Sequence, residues 1–495
     1  MRIVSEFKEL DLLVKAGQAN KAAVRLTMML KDDANLGRAD RLILAKLARR
    51  AFAPQLGIKL LRPMVRPSEK KPIVATGEEK TEYAANLSWL GAVTECHSLL
   101  DQVDSTLVPE ALFIRALALF SEWRYREAIP YLHKYILHSD VADYWKNIGR
   151  LNLMAALAHE GQSVEELRNH LEEVSLRENL RLVLGNVYLF QTESLVQRQE
   201  FEKATQTIKK AHGQLEAGGM NSLFLDKWSA VISLHHDQQR GLEELGLVRQ
   251  KAVEVSHWET LRDCDLQEIR VTQDLKKGEH LYFGTPHSAY REHLLSLCPW
   301  VKNVVGSHYD RSFSEKKISL PIVPWELTRE GHVLGKLWEV LQSDFYSPLS
   351  LGYLQSKVFP WKQLNFDRGA NSLHQALKRL RHLFEEQKIP LHIQESKSEY
   401  QLQAKSAVTV RVRMTNLDNP KVYPEVFRKL EKSFPQQSFR ASHVSEVLSL
   451  SRNMSLNYLR VWQTQGFIEK TGSGPQTTYR VLGVKQRPKI SDNSR

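Results

Sequence analysis

Residues 111–135 read ALFIRALALFSEWRYREAIPYLHKY. Apolar side chains recur every three or four residues through this stretch, which predicts two helices in succession. Ala116 and Ala128 stand twelve residues apart, and Leu119, Tyr125, Leu132 and Tyr135 are the larger apolar positions. Small side chains let two antiparallel helices approach closely, while the larger ones fill the groove against the next pair. The segment from Leu195 through Phe201, Ala204 and Ile208 to Ala211 repeats the arrangement, and weaker copies surround Gly17 and Ala22, and Trp89 and Ala92. The small-residue marks Ala92, Ala128 and Ala204 are separated by 36 and 76 residues, as one and then two units of roughly 34 to 38 residues would be.

This pattern resembles the tetratricopeptide repeat. The resemblance implies that residues 1–290 form a mainly α solenoid of helix pairs whose concave face binds a peptide, a partner protein or a second copy of the chain; a purely structural scaffold is the plainer reading. Arg66 to Glu79, with Pro67, Pro72, Lys70 and Lys71, is read as a loop in the stack.

Charge is divided unevenly along the chain. Of the formal net charge of +12, residues 321–495 hold +11, from 26 Lys and Arg against 15 Asp and Glu. An excess of that kind in one third of a chain points to a polyanionic partner. No run of about 18 apolar residues occurs, so a soluble, cytoplasmic protein without membrane contact is expected, and a DNA partner for the basic third would make it nucleoid-associated. Cys96, Cys264 and Cys298 are the three cysteines, widely spaced and without a CxxC pair, and are read as packed thiols and not as metal ligands. His287, His293 and His308 lack the Cys or carboxylate pattern of a metal site. Glycine-rich phosphate loops, GxSxG elbows and HExxH motifs do not occur, so no enzymatic activity and no cofactor are expected.

In the basic third, Gly331 to Leu341 reads as an amphipathic helix. SPLSLGYLQSKVFP gives a second, with Ser350 as N-cap and Leu351, Leu354 and Val358 as its buried side. Asp367 to Glu386 is the longest helix here, and IPLHIQESKSEYQL supplies two short strands round a polar turn. Three helices followed by a hairpin is the order of a winged helix-turn-helix. The stretch from Ala370-Asn371-Ser372-Leu373 through Ala376 to Arg379-Leu380-Arg381 and Leu383 resembles the recognition helix of OmpR-like domains, in particular those of antibiotic-pathway regulators that carry helical repeats. Leu373, Leu377, Leu380 and Phe384 make one apolar stripe and belong to the core. Asn371, Ser372, His374, Gln375, Lys378, Arg379 and Arg381 occupy the remaining faces as candidate DNA contacts, against the plain alternative of a solvated helix face. His374 and Gln375 depart from the Arg and apolar residues common in those domains, and Glu399 stands where a glycine usually precedes the wing tyrosine.

A second helix-turn-helix spacing follows in FRASHVSEVLSLSRNMSLNYLRVWQTQGFIEKTGSGPQTTYRV. Val444 and Leu448 mark a short helix and Ser449 to Ser451 a turn, and the next helix runs to Gln465. Gly472-Ser473-Gly474-Pro475 is the tip of a hairpin closed by Thr477 to Val481. This block resembles the winged helices of bacterial repressors, with Leu459 and Trp462 in the core and Arg452, Asn453, Asn457, Tyr458 and Arg460 as candidate groove or phosphate contacts, against the plain alternative of a solvated face. Ser455 stands where such domains bury an aliphatic side chain. The expected organisation is a repeat region at 1–290, a connector at 291–328, a first winged helix at 329–404, a linker at 405–420, a second winged helix at 421–483 and a basic tail at 484–495. The expected function is transcriptional regulation through double-stranded DNA. The alternatives are a protein-assembly subunit of the PCI type, in which winged helices contact protein, and an RNA-binding protein.

Overall fold

Small residues set how closely the helices of the first half pack. The protein, described from a computed structural model, is seen at residues 8–13, 19–29, 36–67, 73–215, 219–313, 321–324, 327, 333–360, 363–364, 369–396, 398–413, 424–435, 437–448, 450, 452–464 and 467–482. It divides into two units, Met1–Gly306 with Phe345–Pro348, and Ser307–Asp344 with Leu349–Arg495. Among the described residues no helix is long and apolar enough to cross a membrane.

The first unit is a solenoid of tetratricopeptide-like helix pairs. After α1 (Ala19–Met29) come α2 (Arg38–Arg50) and α3 (Pro54–Val65), α4 (Gly77–Trp89) and α5 (Val93–Leu100), and α6 (Glu110–Phe120) and α7 (Tyr125–Leu137). The series continues with α8 (Asp143–His159) and α9 (Glu165–Arg177), α10 (Arg181–Gln197) and α11 (Phe201–Gln214), α12 (Gly219–His236) and α13 (Gln238–Glu254), and α14 (Trp258–Thr272) and α15 (Leu275–Phe283). A last helix, α16 (Ser288–Leu297), precedes a short 3-10 turn at Pro299–Asn303.

The fourth residue of the second helix is small and buried in six of the seven pairs, namely Gly57, Cys96, Ala128, Ala204, Gly241 and Gly278, with Arg168 as the exception. Twelve residues earlier, Ala45, Ala84, Ala116 and Thr192 are fully buried in the facing first helices. The expected twelve-residue spacing therefore holds in four of the seven pairs, but its register differs at one mark. Ala92 only precedes α5, and the partner of Ala128 in that pair is Cys96, because Ala92 lies in the turn and Cys96 one helical turn inside. Phe52, Gly91, Trp123 and Gln199 adopt left-handed backbone in these turns. The next N–H reaches back to close the first helix in every case, as Arg124 does to Leu119 O at 3.0 Å and Glu200 to Leu195 O at 2.8 Å. Gly17, Lys70, Lys71 and the tail 484–495 lie outside the described residues.

Side chains of the third and seventh pairs meet within the first unit. Trp123 Nε1 donates to Glu259 Oε2 at 3.1 Å across 136 residues, joining the third pair to the seventh. The Trp123 ring meets Tyr290 edge-on at 4.6 Å, and His159 lies between Tyr125 at 4.1 Å and His293 at 4.2 Å. Lys227 is ion-paired with Asp263 beside them. Within the same unit Tyr346 Oη donates to Asp265 Oδ2 at 2.7 Å, and Arg262 lies over the Tyr346 ring at 5.3 Å.

The second unit is α+β. β1 (His308–Ser312) and β2 (Ile322–Val323) flank β6 (Thr409–Arg413), antiparallel and parallel respectively. β1 and β2 lie within 291–328, read above as a connector, and β6 within 405–420, read above as a linker. Val408, Val410 and Val412 are buried while Arg411 and Arg413 point away, an alternation that only a strand can satisfy. Arg411 grips Asp310 opposite it through bonds of 2.7 and 2.8 Å. Between these strands lie α17 (Val333–Leu341), β3 (Leu349–Ser350), α18 (Leu351–Val358), α19 (Gly369–Glu386), β4 (Leu391–Ser396) and β5 (Glu399–Ala404). Their sheet has the order β3-β5-β4. Ser350 caps α18 as expected, its hydroxyl accepting from Tyr353 N at 3.1 Å.

The chain ends with α20 (Pro424–Ser433), β7 (Ser438–Phe439), α21 (Ala441–Val447), α22 (Arg452–Thr464), β8 (Ile468–Thr471) and β9 (Thr478–Val481), with sheet order β7-β9-β8. Phe427, Phe439, Leu459, Trp462, Ile468 and Tyr479 belong to its core.

Candidate nucleic-acid interface

An eighteen-residue helix with one apolar stripe can be oriented from burial alone. On α19, Leu373, Leu377 and Leu380 are 0% exposed and Phe384 is 2% exposed, with Phe384 edge-on to Trp338 of α17 at 5.7 Å. Asn371, His374, Gln375, Lys378 and Arg379 are consequently exposed together, and Ser372 and Arg381 lie half-buried at the margins. Among the described residues none pairs with Lys378 or Arg379 or hydrogen-bonds Asn371 or Gln375. These side chains supply amide donors and acceptors suited to base edges, and cations suited to phosphates or guanine. Arg381 differs, since its Nη2 donates to Ile393 O at 3.1 Å and reaches Glu395 at 3.4 Å, which commits it to the hairpin β4–β5. Toward the end of α19, His382 lies 3.8 Å from Glu385 and 3.2 Å from Glu386, so acidic groups gather there.

On α22 the expected residues separate. Arg452 and Arg460 are exposed and Asn457 is half-buried, while the side chain of Asn453 lies outside the described residues. Tyr458 is not a surface group. It is 2% exposed and stacks on Trp462 at 5.4 Å with its ring 18° from parallel. The reason is helical phase, because Ser455, Tyr458, Leu459 and Trp462 fall on one stripe that faces the core. Ser455 is fully buried and accepts from Ser445 Oγ of α21 at 3.0 Å, so a hydroxyl pair replaces the aliphatic contact expected there. Lys470 of β8, which the motif reading passes over, is exposed at the base of the hairpin tip. The acid-free run from Lys470 to Arg480 was the available signal.

Other chemistry finds little support in the geometry. Among the described residues no cluster of three His, Cys, Asp or Glu side chains could hold a metal ion. Cys96, Cys264 and Cys298 are buried, and burial raises their thiols, Cys264 to about 12 and Cys298 to about 11, well away from a reactive thiolate.

No family model matches the chain. No curated protein matches it. Among solved structures, a Rap protein complexed with competence and sporulation factor is similar over 61% of this chain and 97% of its own, at 12% identity and a TM-score of 0.40. The apo form of RapI is similar over 61% of this chain and 96% of its own, at 12% identity and a TM-score of 0.39.

Proposed function

We propose that the chain is a non-enzymatic, sequence-specific DNA-binding transcriptional regulator. In this reading α17 to β5 is an OmpR-like winged helix-turn-helix, α20 to β9 is a second winged helix, and the helix-pair solenoid binds a protein, a peptide or its own copy. The observation that carries it is the outer face of α19, where Asn371, His374, Gln375, Lys378 and Arg379 are exposed on one side of a helix anchored by a four-residue apolar stripe. The +11 charge of residues 321–495 supports the same partner.

Selection from random duplexes with the full chain tests this, followed by the same selection with Asn371→Ala and Gln375→Ala. Each substitution relaxes preference at particular base pairs and costs about 1 to 3 kcal/mol on the selected site, with much less effect on random DNA. Recovery of the same site at unchanged affinity by both variants refutes α19 as the reader. Preference for structured RNA over duplex DNA refutes the partner.

A further inference from the structure

The two hairpins of the second unit differ in charge where their strands end. The tip of β4–β5 reads Gln394-Glu395-Ser396-Lys397-Ser398-Glu399, with Glu395 and Glu399 both exposed. Glu395 also accepts from Tyr400 Oη at 3.2 Å and draws Arg381 toward the hairpin. A carboxylate brought within a few ångströms of a phosphate is repelled, so this tip is poorly suited to DNA backbone.

The β8–β9 hairpin has the opposite character. Its one acid, Glu469, is tied across the strands to Arg480 at 2.9 Å, and no acidic residue follows from Lys470 to Arg480. Lys470, Thr471, Ser473 and Gln476 are exposed, and among the described residues none pairs with Lys470. Gly472 and Gly474 take positive φ of 81° and 58°, and a Cβ added at Gly474 would meet nothing within 4 Å, so the tip backbone is open to a close approach. Cations, hydroxyls, amides and backbone N–H groups are the usual donors to phosphate oxygens. Meanwhile α22 turns Tyr458 and Ser455 inward, and among the described residues its exposed polar side chains are Arg452, Arg460 and Gln463.

Resting on the DNA-binding reading above, we infer that the two copies hold duplex DNA by different elements. The first copy uses α19 and keeps its hairpin clear of the backbone. The second copy uses the β8–β9 hairpin, with Lys470 on a phosphate and Thr471, Ser473 and Gln476 as uncharged donors.

The test measures affinity of the full chain for one duplex across a salt series. Lys470→Ala combined with Gln476→Ala lowers affinity about tenfold near physiological salt and makes the log–log salt dependence shallower by about one. Lys470→Arg, with Gln476 intact, stays within about twofold of the unchanged chain, as does Lys397→Ala in the other hairpin. Unfolding curves matching the unchanged chain confirm that these substitutions leave the fold intact. If the unchanged chain binds DNA but Lys397→Ala costs as much as the Lys470 and Gln476 pair, or that pair changes neither affinity nor slope, the division between hairpins is overturned while the DNA-binding reading stands. If the unchanged chain shows no salt-dependent binding to duplex DNA, both fall.

Discussion

Replacing Gly241 by Ala separates the helical preference of a residue from the space available to it. Helix propensity alone favours Ala over Gly in a helix interior by roughly 0.8 to 1 kcal/mol. In α13, however, a Cβ at Gly241 would lie 2.1 Å from Leu234 Cα, 2.3 Å from its N and 2.6 Å from its Cβ. Those atoms are mostly backbone of α12, so relief requires moving a helix and not a side-chain tip, and overpacking of this kind costs about 1 to 3 kcal/mol. With backbone atoms as near as 2.1 Å the cost falls in the upper part of that range, about 2 to 3 kcal/mol, so the packing effect wins for a net loss of about 1 to 2 kcal/mol. Gly246, five residues along the same helix, has nothing within 4 Å of the added atom. There the propensity acts unopposed and Gly246→Ala gains roughly 0.5 to 1 kcal/mol. Thermal unfolding of the full chain by far-UV circular dichroism reads both, with Gly241→Ala lowering the first unit's transition by roughly 2 to 8 °C and Gly246→Ala raising it. Shifts of the same sign in the two variants would refute the claim that small side chains at this position set the separation of paired helices.

Two further outcomes follow from burial. Burial pushes His293 down to about 3 and His235 down to about 4, whereas both titrate near 6.5 when unfolded. The unfolded chain therefore binds more protons between those values, and stability that is complete above about pH 6.5 declines as pH falls, by up to about 1.4 kcal/mol per pH unit for His293. Asp263 and Glu79 are held below the usual carboxylate range and lose their contribution only near pH 4 and under, so denaturant midpoints between pH 5 and 6.5 isolate the histidines. His293→Gln flattens that dependence, and an unchanged slope refutes the assignment. In the second unit, Tyr458→Ala removes a stacked core ring and costs about 3 to 5 kcal/mol of stability, while Arg452→Ala stays within about 0.5 kcal/mol. Denaturant titration of both variants checks this, and equal small effects would return Tyr458 to the surface.

Features that depend on neighbours along the chain are legible in the amino-acid order. The 3.6-residue periodicity of 111–135 and the twelve-residue spacing of small residues are local, as are the Ser350 cap and the Leu373, Leu377, Leu380, Phe384 stripe, and each fixes which side of a helix turns inward. The same locality placed Asn371, His374, Gln375, Lys378 and Arg379 on one exposed face. Where a local signal was present but short, it was easily missed. The alternation at Val408 to Arg413 spans only six residues, and its partners β1 and β2 lie about 90 to 100 residues upstream. Features that depend on distant contacts emerge when the chain folds. Ser455 accepts from a hydroxyl on the preceding helix, Arg381 bends to a carbonyl and a carboxylate on a hairpin, and Trp123 reaches Glu259 across 136 residues. Periodicity states that a side chain turns inward or outward, but the identity of the group it meets is set by how elements far apart in sequence pack, and no spacing within one helix carries that information.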